Sequence, residues 1–282
     1  METKMKDKVQ WALETFNNNG IEATLEKDFI MISNYCQPKD TTFEALGINE
    51  DELIENVGVC LGCFDFLKSK LTTFPLIAAK EIRMYKDTKV KEMPNLKIAG
   101  SIIVSGELKK VPKLKRAISI SLDGSLVKAF PKLKEVDILI AQNSALEKLD
   151  SLEASRKLCL IDCPIKDLSE LKNVEDLFIC SSDEENKIEL KELKSLQSAK
   201  NVFIANCLIK ALPNLKNVEK IGLFNTEIKS IKKSIKAQIE ISNKISDEDL
   251  SNKFDSFTDW YNSDILNKSM DLLGEVVKQI KK

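Results

Sequence analysis

The stretch Val202-Phe-Ile-Ala-Asn-Cys-Leu-Ile209-Lys-Ala-Leu212-Pro213-Asn-Leu215 joins two patterns that together decide the fold. Its beginning places apolar residues at alternate positions, which is typical of a β-strand. Its second half places apolar residues at every third position, with a proline directly after Leu212. Such a unit cannot bury its apolar side alone. It therefore predicts a fold in which similar units stack on one another.

The unit recurs along the chain at a nearly constant spacing. Steps from an apolar residue to a proline occur at 74–75, 93–94, 111–112 and 130–131. The spacing breaks once, at the polar stretch 181–186, which its composition predicts to be a surface loop. Three apolar columns follow the repeat: Phe74, Met93, Val111, Phe130, Leu149, Leu168, Leu193, Leu212 and Ile231; three positions earlier, Leu71, Val90, Leu108, Val127, Leu146, Ile165, Leu190, Ile209 and Ile228; and three positions later, Leu96, Leu114, Leu133, Leu152, Leu171, Leu196 and Leu215.

Short alternating stretches precede the units, at 118–122, 136–140, 158–160, 177–179, 202–204, 221–223 and 239–241. Strands stacked side by side as a parallel sheet need a crossover, which the rest of each repeat supplies. A repeat this short leaves no room for a full helix on the return, where proline favours an extended chain. We therefore predict an α/β, mainly β, right-handed solenoid of about nine to ten short repeats with a parallel sheet and helical segments at both ends.

The pattern resembles the leucine-rich-repeat family, Leu-x-x-Leu-x-Leu-x-x-Asn-x-Leu-x-x-Leu-Pro-x-Leu, and is similar to its short bacterial Leu-Pro type. The resemblance covers residues 57 to 243 and is best at 202–215 and 218–228. The resemblance implies a protein-interaction module, and some members of this type are secreted effectors. The turn asparagine of the family occurs at Asn143, Asn206 and Asn225, whereas Asp87, Asp162 and Lys68 take its place elsewhere.

The two ends of the chain do not follow the repeat. Because open solenoid ends expose apolar core, we expect the ends to cap it. We divide the chain into an N-terminal α/β capping region at 1–56, the solenoid at 57–243 and a C-terminal helical cap at 244–282. A C-terminal helix that binds a partner is the alternative to a cap.

Local patterns give the expected elements of these ends. The N-terminal region predicts a helix over 4–16, a strand over 29–32 and helical turns near 42–46 and 50–57. In the C-terminal region, serines are the preferred residues at the start of a helix. That region carries candidate N-caps at Ser246 and Ser263 and an apolar stripe at Leu266, Met270, Leu273, Val277 and Ile280.

Composition narrows the function classes. The 282 residues carry a net charge of −1, so no global field selects a nucleic-acid partner. The sequence contains neither a transmembrane run nor a signal-peptide stretch, and we expect no membrane partner. Seven cysteines without framework spacing favour a reducing, cytoplasmic compartment. The chain has no histidine, the commonest general base and zinc ligand, and we therefore do not expect an enzyme.

Two clusters of reactive or charged residues are expected to be structural. Cys60 and Cys63 form a CxxC pair. The next two cysteines that could complete a metal site, Cys159 and Cys163, lie five repeats further along the chain. At about 4.8 Å per strand this separation is on the order of 24 Å, too far for one metal ion, so we expect no metal and no cofactor. A basic cluster lacks aromatic stacking partners and is expected to face water rather than nucleic acid. It comprises Lys109, Lys110, Lys113, Lys115, Arg116, Lys128, Lys132 and Lys134.

The outward positions of the strands carry the main functional signal. In an alternating strand, the residue between two core residues points to the opposite face, where water is expected. Here that position is repeatedly apolar: Leu139, Cys159, Phe178, Phe203, followed by Gly222 and Glu240, with Ile161, Cys180, Ala205 and Phe224 at the next outward position. An apolar row of this kind indicates a surface that something covers. We predict that Leu139, Cys159, Ile161, Phe178, Phe203 and Phe224 bind a protein partner.

Two alternatives to a protein partner stay open for this row: a register one residue off in some strands, or a chain terminus folded back over the sheet. At the level of function, the sequence favours a non-enzymatic protein-interaction module that binds through the concave sheet face. The alternatives are a bacterial effector acting on a host protein, an enzyme with its activity in the N-terminal region, and a nucleic-acid binder. The partner and the oligomeric state are not predicted.

Overall fold

Stacked coils of extended chain make up the protein. The computed structural model describes residues 2–18, 21–26, 29–32, 57–66, 72–73, 76–185, 187–190, 193–212, 215, 217–231, 238–242, 268 and 272. The coils form a mainly β solenoid of about eight turns, which confirms the predicted fold class. The elements are α1 (Glu2–Asn18), β1 (Ala23–Glu26), β2 (Phe29–Ile32), β3 (Val57–Phe66), β4 (Ala78–Met84), β5 (Ile98–Val104), β6 (Arg116–Asp123), β7 (Glu135–Gln142), β8 (Ala154–Ile161), β9 (Asn173–Cys180), β10 (Ile188–Leu190), β11 (Ser198–Ala205), β12 (Cys207–Leu212), β13 (Lys220–Phe224), β14 (Glu227–Ile231) and β15 (Gln238–Ser242).

Two sheets run along the stack. The main sheet has 12 strands in the order β1-β2-β3-β4-β5-β6-β7-β8-β9-β11-β13-β15, and every pair except β1-β2 is parallel. A second sheet, β10-β12-β14, lies on the return side of the last coils, and isolated parallel bridges continue the same kind of pairing in earlier coils. The return is therefore extended, as the repeat length predicts.

The three apolar columns form the core between the two sides of each coil. The members from Val90 to Leu215 are all buried, because each coil covers the apolar face of the one before it. Ile228, near the end of the stack, is only partly buried. Leu71 and Phe74 lie outside the described residues. The polar insertion is also confirmed, since residues 182–185 form an exposed turn.

The turns that follow β6, β7, β8, β11 and β13 contain a residue with a left-handed backbone. Asn143, Asp162, Asn206 and Asn225 have φ between 45° and 52°, and Gly124 has φ 60°. Asparagine, aspartate and glycine tolerate this conformation better than other residues. The N–H groups of Asn143 and Asp162 each donate to a carbonyl of the next coil at 3.0 Å. This turn position requires a residue that tolerates a left-handed backbone, which explains why Asp162 and Gly124 stand where other coils have asparagine.

The structure describes part of the N-terminal region and two residues of the C-terminal region, Lys268 and Leu272. Helix α1 and strand β2 confirm the predictions for 4–16 and 29–32, and Phe16 of α1 is fully buried. The expected turns at 42–46 and most of 50–57 lie outside the described residues, as do Ser246, Ser263 and the predicted apolar stripe. No helix in the described part of the chain is long and apolar enough to cross a membrane.

Candidate binding face of the sheet

The outward positions of the last main strands align in two rows. Cys159, Phe178 and Phe203 pair in succession across β8, β9 and β11. One pleat further along, Ile161, Cys180, Ala205 and Phe224 also pair in succession. These residues form an apolar cluster that is separate from the main core, which confirms that they face outward. We call Cys159, Phe178, Cys180, Phe203, Ala205 and Phe224 the aromatic patch.

Leu139 does not belong to this surface, and its predicted outward position was wrong. It is fully buried in the main core and pairs with Leu158, whereas Ile140 pairs with Cys159 in the outward row. The reason is a local change of spacing, because the core residues Val136 and Leu139 are three positions apart rather than two. Strict alternation from Val136 therefore places every later residue of β7 on the wrong face.

The aromatic patch is packed like a small core. The rings of Phe178 and Phe203 stack with centroids 4.6 Å apart, and Phe203 lies 5.1 Å from Phe224. Phe178 is 1% exposed and Cys159 is fully buried within the single chain. Ile161 and Phe203 are half-buried. The chain itself therefore covers most of the patch, and only part of the predicted binding row reaches solvent in this conformation.

A residue from the C-terminal region packs on the same face. Leu272, which is 4% exposed, forms a cluster with Ile118 of β6 and Ile138 of β7. Ile140 packs against both this cluster and the aromatic patch, so the two surfaces are continuous. The alternative in which a chain terminus folds back over the sheet is therefore confirmed for the centre of the sheet. We call the surface formed by Ile118, Asp137 and Ile138 the Leu272 site.

An ion pair holds the same segment beside the apolar contact. The amino group of Lys268 lies 3.3 Å from Oδ2 of Asp137, whose carboxylate also accepts two hydrogen bonds from Arg156 at 2.8 and 3.0 Å. Burial would raise the pKa of Asp137, but Arg156 and Lys268 together lower it below its ordinary value of 3.8. A cavity of about 450 Å³, lined in part by Arg116, Ser155 and Leu272, adjoins these contacts.

The outward positions of Asp137 and Ile138 were not predicted, for the same reason that Leu139 was misplaced. Between the core residues Val136 and Leu139, two consecutive residues, Asp137 and Ile138, face away from the core. The equivalent spacing in β6 lies between Ala117 and Ile120. Core residues spaced by three and then by two also occur in β9, at Val174, Leu177 and Ile179.

Five cysteines in the described part of the chain lie in the protein interior. Cys60, Cys159, Cys163, Cys180 and Cys207 are buried and carry no disulfide. Burial raises the pKa of Cys163, and that of Cys180 to about 12, so both thiols stay protonated near neutral pH. Cys163 and Cys207 follow the left-handed turn and donate to carbonyls of the preceding main strand, each at 3.1 Å. Among the described residues, no group of three histidine, cysteine or acidic side chains could hold a metal ion.

Three of the seven lysines of the basic cluster pair with acidic residues one coil away. Lys110 lies 2.6 Å from Glu92, and Lys128 lies 2.9 Å from Glu147. Lys134 lies 3.2 Å from Glu153. Exposed pairs of this kind contribute little stability individually, but they offset part of the local positive charge. The cluster is therefore a mixed-charge surface rather than a uniform basic patch.

Comparison with known proteins gives no identity for the chain: it has no significant match to a family model, a curated protein or a solved structure.

Proposed function

We propose that the chain is a protein-binding module whose outer sheet face recognises a helical segment of another polypeptide. The observation that supports this most is the burial of Leu272 on Ile118 and Ile138. The face already holds a polypeptide segment, namely one from its own chain. The resemblance to leucine-rich repeats and the extended surface of stacked coils favour the same function. We place this binding in the cytoplasm, since the free cysteines fit a reducing compartment.

The Leu272 site specifies the chemistry of the partner segment. Lys268 and Leu272 both have helical backbone conformation, and residues four positions apart lie on one side of a helix. A matching partner therefore carries an apolar residue one turn after a basic residue. The apolar residue packs on Ile118 and Ile138, and the basic residue pairs with Asp137.

Binding requires exchange with the protein's own segment. The segment occupies the face in the free chain. The partner's apparent affinity therefore equals its intrinsic affinity multiplied by the fraction of molecules whose face is open. The aromatic patch is continuous with the Leu272 site. Phe203 of this patch and the neighbouring Ile161 are only half-buried, so both side chains can make further contacts with a partner. Cys159, Phe178 and Phe224 support this surface from below rather than forming its open part.

A labelled peptide of residues 263–282 tests the proposal. We expect it to bind the full-length Leu272→Asp variant, whose own segment is released, more tightly than the wild-type chain, in which that segment competes. The same peptide carrying Leu272→Asp is the control and should not bind. If fluorescence anisotropy shows no binding to either chain while circular dichroism shows both to be folded, the face does not recognise helical segments.

A further inference from the structure

A groove on the return side of the coils has an apolar floor and a rim of lysines. Its volume is about 630 Å³, which lies within the range of about 300–1,000 Å³ typical of small-molecule sites. Three lysines line it, and none of its described lining residues carries an acidic side chain or a hydroxyl group. The floor consists of Val111, Pro112, Leu126, Ala129, Pro131 and Ala145.

The groove is open because one coil carries a small residue where its neighbours carry charged ones. Ala129 forms a parallel bridge with Lys148 of the next coil, and Glu92 bridges to Lys110 in the same way earlier in the stack. Each of these four residues directly precedes a member of the same buried column. Alanine ends at its Cβ, so the space that a long charged side chain fills in the other coils stays open above Ala129.

Leu126 contributes an accessible apolar side chain to the floor of the groove. It is 43% exposed, whereas the equivalent positions of the two preceding coils hold the charged residues Lys89 and Glu107. The equivalent residue of the next coil is Ala145. The N–H of Ala145 donates to the carbonyl of Ser125 at 2.8 Å, which holds the two coils together at this point. The floor is therefore apolar across adjacent coils and open to a ligand.

The rim carries an excess of positive charge. The amino group of Lys110 lies 2.6 Å from Glu92, and that of Lys128 lies 2.9 Å from Glu147. Lys109 is exposed and forms no ion pair with any residue that the structure describes. Exposed ion pairs contribute little stability, so the two paired lysines can exchange a carboxylate of the chain for that of a ligand.

We propose that this groove binds a medium-chain alkyl carboxylate. Its hydrocarbon chain lies against Leu126 and Ala129, and its carboxylate lies beside Lys109. The lysine amino groups of the lining donate hydrogen bonds, and the lining side chains offer no acceptor. An ionised carboxylate only accepts hydrogen bonds, so it matches this set of groups. A peptide segment fits less well, because its backbone N–H groups need acceptors that these side chains do not provide.

The inference is independent of the proposed binding face. The groove lies on the return side of the coils, whereas the Leu272 site lies on the outer face of the main sheet. Loss of ligand binding in the groove would therefore leave recognition of a helical segment by that face unchanged.

Calorimetric titration of the full-length protein with decanoate tests the groove. Leu126→Lys and Ala129→Lys each place a long side chain in the groove and raise its positive charge. Lys89 and Lys148 hold the equivalent positions of other coils, so the fold accommodates lysine at both sites. We expect each variant to bind decanoate about tenfold more weakly than the wild type, since full burial of a leucine side chain contributes about this factor or more. Attraction by charge alone would give tighter binding instead.

Three controls accompany these variants. Lys109→Gln removes one charge of the rim and should weaken binding by about two- to fivefold. Pro164→Lys is the matched control: Pro164 occupies the position of Leu126 two coils further along and lies outside the groove, so this variant should bind like the wild type. Decyltrimethylammonium has the same alkyl chain with a positive head group and should bind more weakly than decanoate.

Several results would overturn the proposal, provided that circular dichroism shows the chains to be folded. One is a wild-type chain that does not bind decanoate, and another is a Leu126→Lys or Ala129→Lys variant that binds it as tightly as the wild type. Hexaglutamate has carboxylates but no alkyl chain. If it displaces decanoate at equal concentration, the occupant is an acidic peptide. Self-association of the wild type that is lost in Leu126→Lys would indicate a second copy of the chain in the groove.

Discussion

The amino group of Lys268 lies 3.3 Å from the carboxylate of Asp137, although 131 residues separate them along the chain. Asp137 sits on β7 in the middle of the main sheet, and its carboxylate already binds Arg156 through two hydrogen bonds. The contact places the C-terminal segment on the outer face of the sheet at its centre. Together with Leu272, it makes that face a surface on which a polypeptide segment is bound.

This contact predicts a pH dependence of stability. The pKa of Asp137 is lowered in the folded protein, so its pairing contributes stability above 3.8 and loses it as the pH falls through the lower folded-state pKa. We expect wild type to be more stable than Asp137→Asn at neutral pH and the difference to shrink below 3.8. Urea denaturation of both chains across pH measures it. A difference that stays constant down to full protonation would contradict the assigned ion pairs.

The left-handed turn predicts opposite effects of two substitutions at Gly124. Asparagine occupies the same turn position in other coils, and no atom lies within 4 Å of a Cβ built on Gly124. We therefore expect Gly124→Asn to change the free energy of unfolding little. Valine is β-branched and disfavours φ of 60°, so Gly124→Val should lower it by about 1–2 kcal/mol. Equal stability of the two variants in urea denaturation would show that this turn does not constrain the backbone.

A close approach of two coils predicts a steric effect at Gly106. A Cβ added there would lie too near the carbonyl oxygen of Tyr85, so one of the two coils must shift. Overpacking of this kind costs about 1–3 kcal/mol, and we expect Gly106→Ala to destabilise the chain by this amount.

The neighbouring coil provides the control for Gly106. Ser125 occupies the equivalent position one repeat later, and its hydroxyl accepts a hydrogen bond of 3.3 Å from the N–H of Val127. Ser125→Ala introduces no clash and should cost only about 1 kcal/mol. Thermal unfolding of both variants compares them, and a Gly106→Ala chain as stable as wild type would mean that the coils can move apart.

Much of the fold could be predicted because its determinants repeat. The positions of the apolar columns from Val90 to Leu215 follow from the spacing of residues within one coil, and the same positions are buried in each coil. The outward positions of Cys159, Phe178 and Phe203 followed from alternation within their strands. Leu139 was misassigned because the core residues Val136 and Leu139 are three positions apart, so that strict alternation counted from Val136 changes phase between them.

The C-terminal helical cap at 244–282 stays a prediction, because only residues 268 and 272 of this region are among the described residues. Leu272 packs on Ile118 and Ile138 at the centre of the sheet, while Ile239 and Ile241 stay exposed at its end. An amphipathic pattern shows that a helix has an apolar side, but it does not identify the surface that this side covers.

The sequence by itself determined the stacked coils, the parallel sheet and the buried columns. These features depend on neighbouring residues in a short repeat of nearly constant length, so periodicity alone specifies them. Only the tertiary structure decided the positions of Lys268 and Leu272 on the outer face of the sheet. Both depend on packing between residues that are far apart along the chain, and the energy of such contacts leaves no periodic mark in the sequence.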